Sequence, residues 1–214
     1  MSEKKISFIV KIIIIMCIFP LLMGNENCQI QEQLIDMLNQ KIRPAQGQRE
    51  IYISHLTFMD PTTGTSLFQT EAGKLINNAV INGINQAQKN NPSFKHNAPG
   101  HKLEDTDGNV NKLVNITFDP NLNKGDKINK IITDLMNPAN IDVIVTGQYF
   151  EKGPLLDVRP LIIVKKEQKI VTKVAQFKKS EFLCSDPNNP STKALCQGAH
   201  DEISRLVKEL LEQL

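Results

Sequence analysis

Residues 96–111, HNAPGHKLEDTDGNVN, bring together the side chains of this chain that most invite chemistry. His96 and His101 lie close in sequence to Glu104, Asp105 and Asp107. Asp105, Asp107 and Asn109 also offer oxygen ligands at alternate positions, as the start of a calcium loop does. Such a loop wants Gly at its sixth position and a bidentate Glu at its twelfth, and here those positions hold Val110 and Ile116. The favoured reading is therefore a tight turn at Asp107–Gly108 leading into a strand that begins near Lys112. A metal-dependent binding loop is the alternative, and calcium is the only cofactor the sequence raises.

The chain has four cysteines. Cys184 and Cys196 bracket SDPNNPSTKAL, a Pro- and Asn-rich loop unsuited to regular structure. No second Cys or His pair stands at ligand spacing, so in an oxidising compartment a disulfide is expected rather than a metal site. Two independent buried thiols are the competing reading. Closing a loop of this size would contribute about 3 kcal/mol through the unfolded state. Cys28 is left over as a free thiol, an intermolecular bridge or a lipid attachment point.

The remaining ionisable residues do not form a catalytic pattern. The sequence contains no G-x-S-x-G, no glycine-rich phosphate loop and no H-E-x-x-H. His55 falls inside an expected strand and reads as a half-buried histidine, and His200 as an amphipathic residue of the last helix.

The compartment is set by residues 1–24. Lys4, Lys5 and Lys11 precede an uninterrupted apolar run from Ile12 to Met23, and polar GNEN follows. Such a run spans only about 18 Å as a helix, against about 30 Å of bilayer core. An export signal is favoured over an uncleaved anchor. Cleavage after Gly24 fits the step to polar sequence, although Leu22 is larger than the residue usual three positions earlier. Neither Cys17 nor Cys28 is preceded by the small residue of a lipoprotein signal, and membrane association through the N-terminus stays open.

Removing 1–24 takes three of 25 basic residues and one of 23 acidic ones, leaving 22 against 22. A charge-balanced chain without a basic stripe argues against nucleic acid as a partner. With 40% hydrophobic residues the chain has the composition of an ordinary globular protein.

Beyond a helix and linker at 25–49, one domain is expected over 50–214. EIYISHLTF (50–58) reads as a strand. Thr65 or Ser66 can cap a helix whose apolar face runs through Ala72, Leu75, Ile76, Ala79, Val80, Gly83, Ile84 and Ala87. Residues 90–112 read as a long polar connection, and KLVNITF (112–118) as a strand by its alternation. A helix over Ile128–Met136 follows, then a strand at 140–150 that is apolar on both faces, as a central strand would be. LLDVRPLIIVKK and KIVTKVAQFKK complete an antiparallel meander, in which Pro160 suggests an edge or a bulge. The last helix begins near Lys193 or Gly198. The expected class is α/β: a mixed sheet of about five strands, parallel first and antiparallel later, with helices packed on it.

Two helices of an α/β core, then Asp142-Val-Ile-Val-Thr-Gly147-Gln-Tyr149, then strands of the L-D-V-R-P-L-I-I-V and K-I-V-T-K-V type, resemble a known periplasmic domain. It is the one shared by curli-secretion-channel lipoproteins, flagellar outer-membrane accessory proteins and lipoprotein activators of penicillin-binding proteins. The pattern is also similar to the N-terminal domain of the Tol-system β-propeller protein. The resemblance covers about residues 50–214, and it implies that Gly147 stands where a bulky side chain would clash. The lack of a good lipobox departs from the lipoprotein members, and the lack of a membrane-crossing hairpin segment departs from the channel type. The resemblance implies a non-enzymatic docking component of an outer-membrane or periplasmic assembly, facing an envelope protein or a second copy of itself. The alternatives are a metal- or ligand-binding module using 96–111 and a secreted hydrolase.

Overall fold

A computed structural model describes residues 49–185 and 192–214. The expected signal segment, the helix within 25–49 and Cys28 lie outside the described residues.

The domain is α/β, built on a mixed sheet. Its spine is a two-stranded antiparallel ribbon of β5 (Val143–Lys152) and β6 (Leu155–Val164), joined at Gly153–Pro154 and paired along its full length from Val143↔Val164 to Lys152↔Leu155. On one side β5 pairs in parallel with β1 (Ile51–His55), and β1 with the short edge strand β4 (Phe94–His96). Further along the same side, the hairpin of β2 (Met59–Asp60) and β3 (Thr65–Ser66) takes over through Met59↔Gln148. On the other side β6 pairs with β7 (Lys169–Thr172) and β8 (Ala175–Lys178).

The pairs Leu161↔Thr172 and Val158↔Ala175 share one register, so β7 and β8 form a single strand line interrupted at Lys173–Val174. The break faces Pro160, which has no N–H to offer a ladder. The sheet thus has the expected antiparallel meander, with the proline opposite a gap in its neighbour.

Helices cover both faces. α1 (Glu71–Asn90) buries Ile76, Ala79, Val80, Gly83, Ile84 and Ala87, the face its sequence period marks. Its N-cap is Thr70, whose hydroxyl accepts from Gly73 N at 3.0 Å, rather than Thr65 or Ser66, which lie in β3. α5 (Gln197–Leu211) packs beside it through Ile203, Val207, Leu210 and Leu211 in the same core cluster. A Cβ on Gly83 would lie 2.5 Å from the Ser204 carbonyl oxygen, so the two backbones meet there. Ser204 Oγ also donates to Ala79 O at 2.9 Å.

The opposite face carries α2 (Asp107–Phe118) and α3 (Lys124–Ile131), the latter continued by one π-helical turn (Ile132–Met136). Val110, Leu113, Ile116, Ile131, Leu135 and Met136 join Leu56, Ile144 and Ile163 in a second core. The chain steps from β1 to β4 through α1, then back across β1 to β5 through α2 and α3. Crossovers of one hand that step in opposite directions leave their helices on opposite faces, which gives three layers.

Two expectations are corrected here. KLVNITF is the greater part of α2, not a strand, because Val110, Leu113 and Val114 close a helical face with Ile116 beside it and Thr106 caps the start by accepting from Asn109 N. Residues 90–112 are not one loop: they contain β4 and the first turn of α2.

The disulfide Cys184–Cys196 is formed, with 5.0 Å between the Cα atoms. It staples β9 (Leu183–Ser185) to β10 (Lys193–Leu195), which pair antiparallel, so the stems of the loop are regular. A four-residue helix, α4 (Lys179–Phe182), leads into β9 and buries Phe182.

Candidate functional site

In an open parallel sheet, ligands collect beyond the carboxyl ends of the strands, where neighbouring connections depart in opposite directions. In this protein that place is the end of β1, between β4 and β5. His55 is the last residue of β1 and His96 the last of β4. Their rings meet with Nδ1 of His55 3.0 Å from Nε2 of His96. Both are partly buried, and one N–H donates to the other ring's lone pair.

Burial lowers the basicity of both imidazoles. His96 falls to about 4, through burial first, then the charges of His55 and Lys102. His55 is also lowered by burial, with Asp105 pulling the other way and Lys102 adding to the drop.

Beside the pair, Asp105 is clamped. Its Oδ1 accepts from Thr57 N at 2.9 Å, and its Oδ2 from Thr57 Oγ1 at 2.8 Å and Asn77 Nδ2 at 2.7 Å. The hydrogen bonds bridge β1's exit, α1 and the segment before α2. Asn77 Oδ1 and Asn97 Oδ1 are buried without a protein partner among the described residues. The result is a half-buried polar cluster of two imidazoles that resist protonation and a carboxylate held by three hydrogen bonds, with one unused amide oxygen on Asn77, the side chain that also holds Asp105.

The calcium-loop reading is corrected. The chain is helical from Asp107, so the alternating oxygens cannot wrap around one centre. Asp107 begins α2 and is exposed, while Asn109 Nδ2 donates to Glu104 O at 2.8 Å. His101 stacks on Tyr52, centroids 3.5 Å apart and 6° from parallel, and its Nδ1 lies 2.8 Å from Asn140 O. Of the proposed set only His96 and Asp105 reach the cluster, and no three His, Cys, Asp or Glu converge as for a metal among the described residues. His55, read from sequence as an ordinary strand histidine, is the partner that went unrecognised. Its pairing with His96 depends on the short strand β4, for which the sequence gives almost no signal.

Asp142, Gly147 and Tyr149 act apart from this cluster. Asp142 precedes β5, accepts from Tyr52 N at 3.0 Å and pairs with Arg49 at 2.8 Å, tying β1 to β5. A Cβ on Gly147 would collide with the Phe58 ring and lie 2.6 Å from Arg159 O. Tyr149 packs against Phe182 with centroids 5.8 Å apart, and burial and then Glu151 push its hydroxyl up to about 12.

A second feature lies on the distal half of the ribbon. On the face of α2 and α3 the apolar layer reaches Ile144 and Ile163. Further along, Gln148, Phe150 and Arg159 are half-buried and Gln176 is exposed. Lys152 Nζ and Arg159 Cζ sit 4.8 Å and 5.4 Å from the Phe150 ring centre. Asp157 is only 3% exposed, and Lys152 and Gln176 hold it below the usual carboxylate range. Lys152 Nζ is 2.8 Å from its Oδ2 and Gln176 Nε2 donates to its Oδ1 at 2.8 Å.

Comparison with known family models, with curated proteins and with solved structures finds no match to this chain.

Proposed function

We propose that this protein is an exported, non-enzymatic component of the cell envelope, whose domain over 49–214 docks on another protein of an outer-membrane or periplasmic assembly. Such an assembly would serve secretion, flagellar function or wall synthesis, as the resemblance of the β5–β6–β7 region implies. The observation that carries the reading is the β7–β8 line, which among the described residues pairs only with β6 and so offers its outer backbone groups to a partner strand. Export is supported by the Cys184–Cys196 disulfide, which belongs to an oxidising compartment, and by the basic and apolar pattern of residues 1–24. Among the described residues no helix is long and apolar enough to cross a membrane.

A photo-crosslinking residue at Val174, in protein expressed in its native envelope, tests the docking. A discrete adduct with one envelope protein is expected, and absence of any specific adduct defeats the reading. Intact mass of the native protein tests the export. Loss of residues 1–24 and of two hydrogens at the disulfide is expected, and a full-length reduced chain contradicts it.

A second reading rests on the His55–His96–Asp105 cluster: a module that binds a small polar ligand at the carboxyl ends of β1 and β4. Asn77 Oδ1, buried without a partner among the described residues on the side chain that holds Asp105, favours it.

A further inference from the structure

The ribbon of β5 and β6 is sealed on one face and open on the other. Along its distal rungs Leu156 and Val158 are buried in the core beneath α1 and α5. Gln148, Phe150, Leu155 and Leu161, on the opposite face by the alternation of a strand, are only half-buried. The layer of α2 and α3 covers that face of the ribbon at Ile144 and Ile163, on its proximal rungs. From Leu155 to Leu161 the uncovered strip runs for roughly 20 Å, the length of about three to four turns of an α-helix. The shared register of β7 and β8 places Val174, 50% exposed, at its side next to Arg159.

Arg159 stands at the middle of this strip, between Leu161 and Asp157 on the same face of β6. Its guanidinium carbon is 5.4 Å from the Phe150 ring centre, so the group leans toward β5 and lies over the ribbon, away from the β7–β8 edge. Nε is buried without a partner, and no hydrogen bond or ion pair engages the terminal nitrogens among the described residues. Asp157 shares its field with Arg159, but its oxygens are committed, Oδ2 to Lys152 and Oδ1 to Gln176. Lys152 is thus neutralised by Asp157, and Lys178, opposite Leu155, by Glu181. The charge left unmatched on the strip is that of Arg159, carried on a planar fork of N–H donors.

These features narrow the occupant. A small anion would satisfy the fork but leave Leu155, Leu161 and Val174 in water. A purely apolar helix would cover those side chains but bury the donors of Arg159 unpaired, which is costly. A helix whose apolar stripe carries one carboxylate near its centre meets both demands, because the planar guanidinium takes a carboxylate through paired N–H···O bonds. An Arg and an aromatic ring at the centre, rimmed by Gln148, Lys152 and Gln176, also have the make-up of a binding hot spot.

We infer that the distal face of the β5–β6 ribbon receives one amphipathic helix of the partner protein, whose apolar stripe carries a glutamate or aspartate bound by the terminal N–H groups of Arg159. This rests on the docking reading and names the chemistry of the partner, on a surface separate from the β7–β8 edge.

The test places a photo-crosslinking residue at Gln148 in full-length protein in its native envelope and sequences the peptide joined to it. The expected adduct is a segment of one envelope protein in which an acidic residue has apolar neighbours three or four positions away on either side. Arg159→Gln should lower its yield at least tenfold with little change in melting temperature, since the native side chain makes no hydrogen bond to lose. Arg159→Glu should abolish the adduct, and replacing the partner's acidic residue by arginine should restore it. An unchanged yield in Arg159→Gln, failure of the exchanged pair to restore the adduct, or a joined peptide without an acidic residue overturns the inference. So does an adduct to a second copy of this chain or within the same chain. If Gln148 gives no adduct while the Val174 crosslink captures its envelope protein, the inference falls and the docking reading stands. If neither position captures a protein, both fall.

Discussion

Gly147 and the His55–His96 pair show how much depends on single side chains. At Gly147 a methyl group would meet both the Phe58 ring and the Arg159 carbonyl oxygen, and only the ring can be trimmed. Gly147→Ala should therefore cost about 3 kcal/mol or more, measured by urea unfolding, and adding Phe58→Leu should recover only part of it. The histidine pair makes stability depend on pH. His96 is held to about 4 in the folded state against an ordinary 6.5, so the folded chain resists a proton that the unfolded chain accepts. Nothing is lost above about pH 6.5, and stability should decline as pH falls from there toward 4. The rings titrate as a pair, with Asp105 favouring the charged form of His55 and Lys102 opposing charge on both. His96→Phe should flatten the decline between pH 6.5 and 4.5, as read from melting temperatures. A slope unchanged in the variant would show that other groups govern it.

Among the elements, those with a long period or a paired landmark were legible in the sequence. The apolar face of α1 repeats over five turns, α5 has the same kind of stripe, and the ribbon of β5 and β6 is marked by two long apolar runs around Gly153–Pro154. KLVNITF reads as a strand although it lies in α2, because Val114, Ile116 and Phe118 alternate over a span too short to separate period 2 from period 3.6. Thr106 before Asp107 was the available signal, a capping residue ahead of Val110, Leu113 and Val114. β4 contributes three residues to a parallel edge, and its register comes from β1 rather than from its own composition. The disulfide was legible from its flanking loop. Replacing Cys184 and Cys196 together by serine should lower stability by about 3 kcal/mol, with the largest gain in hydrogen exchange at β9, β10 and the first turn of α5, where Cys196 is the N-cap. An exchange pattern unchanged there would locate the effect elsewhere.

At the scale of the molecule, one sheet supports two separate cores, one beneath α1 and α5 and the other beneath α2 and α3. Ile84 and Leu113, both fully buried, sample them in turn. Ile84→Ala and Leu113→Ala should each cost about 2–5 kcal/mol and move one common transition in denaturant, because neither helical layer can leave without stripping the shared strands. Two resolved transitions would refute that coupling. The contact between Gly83 and Ser204 also has a temporal side. The helix that seals the first core follows every strand it covers in chain order, so a growing chain still short of Gln197 holds Ile53, Val145 and Ile84 without their cover. Emergence of Gln197–Leu211 is then the event that permits this core to close, however early the strands beneath it are made.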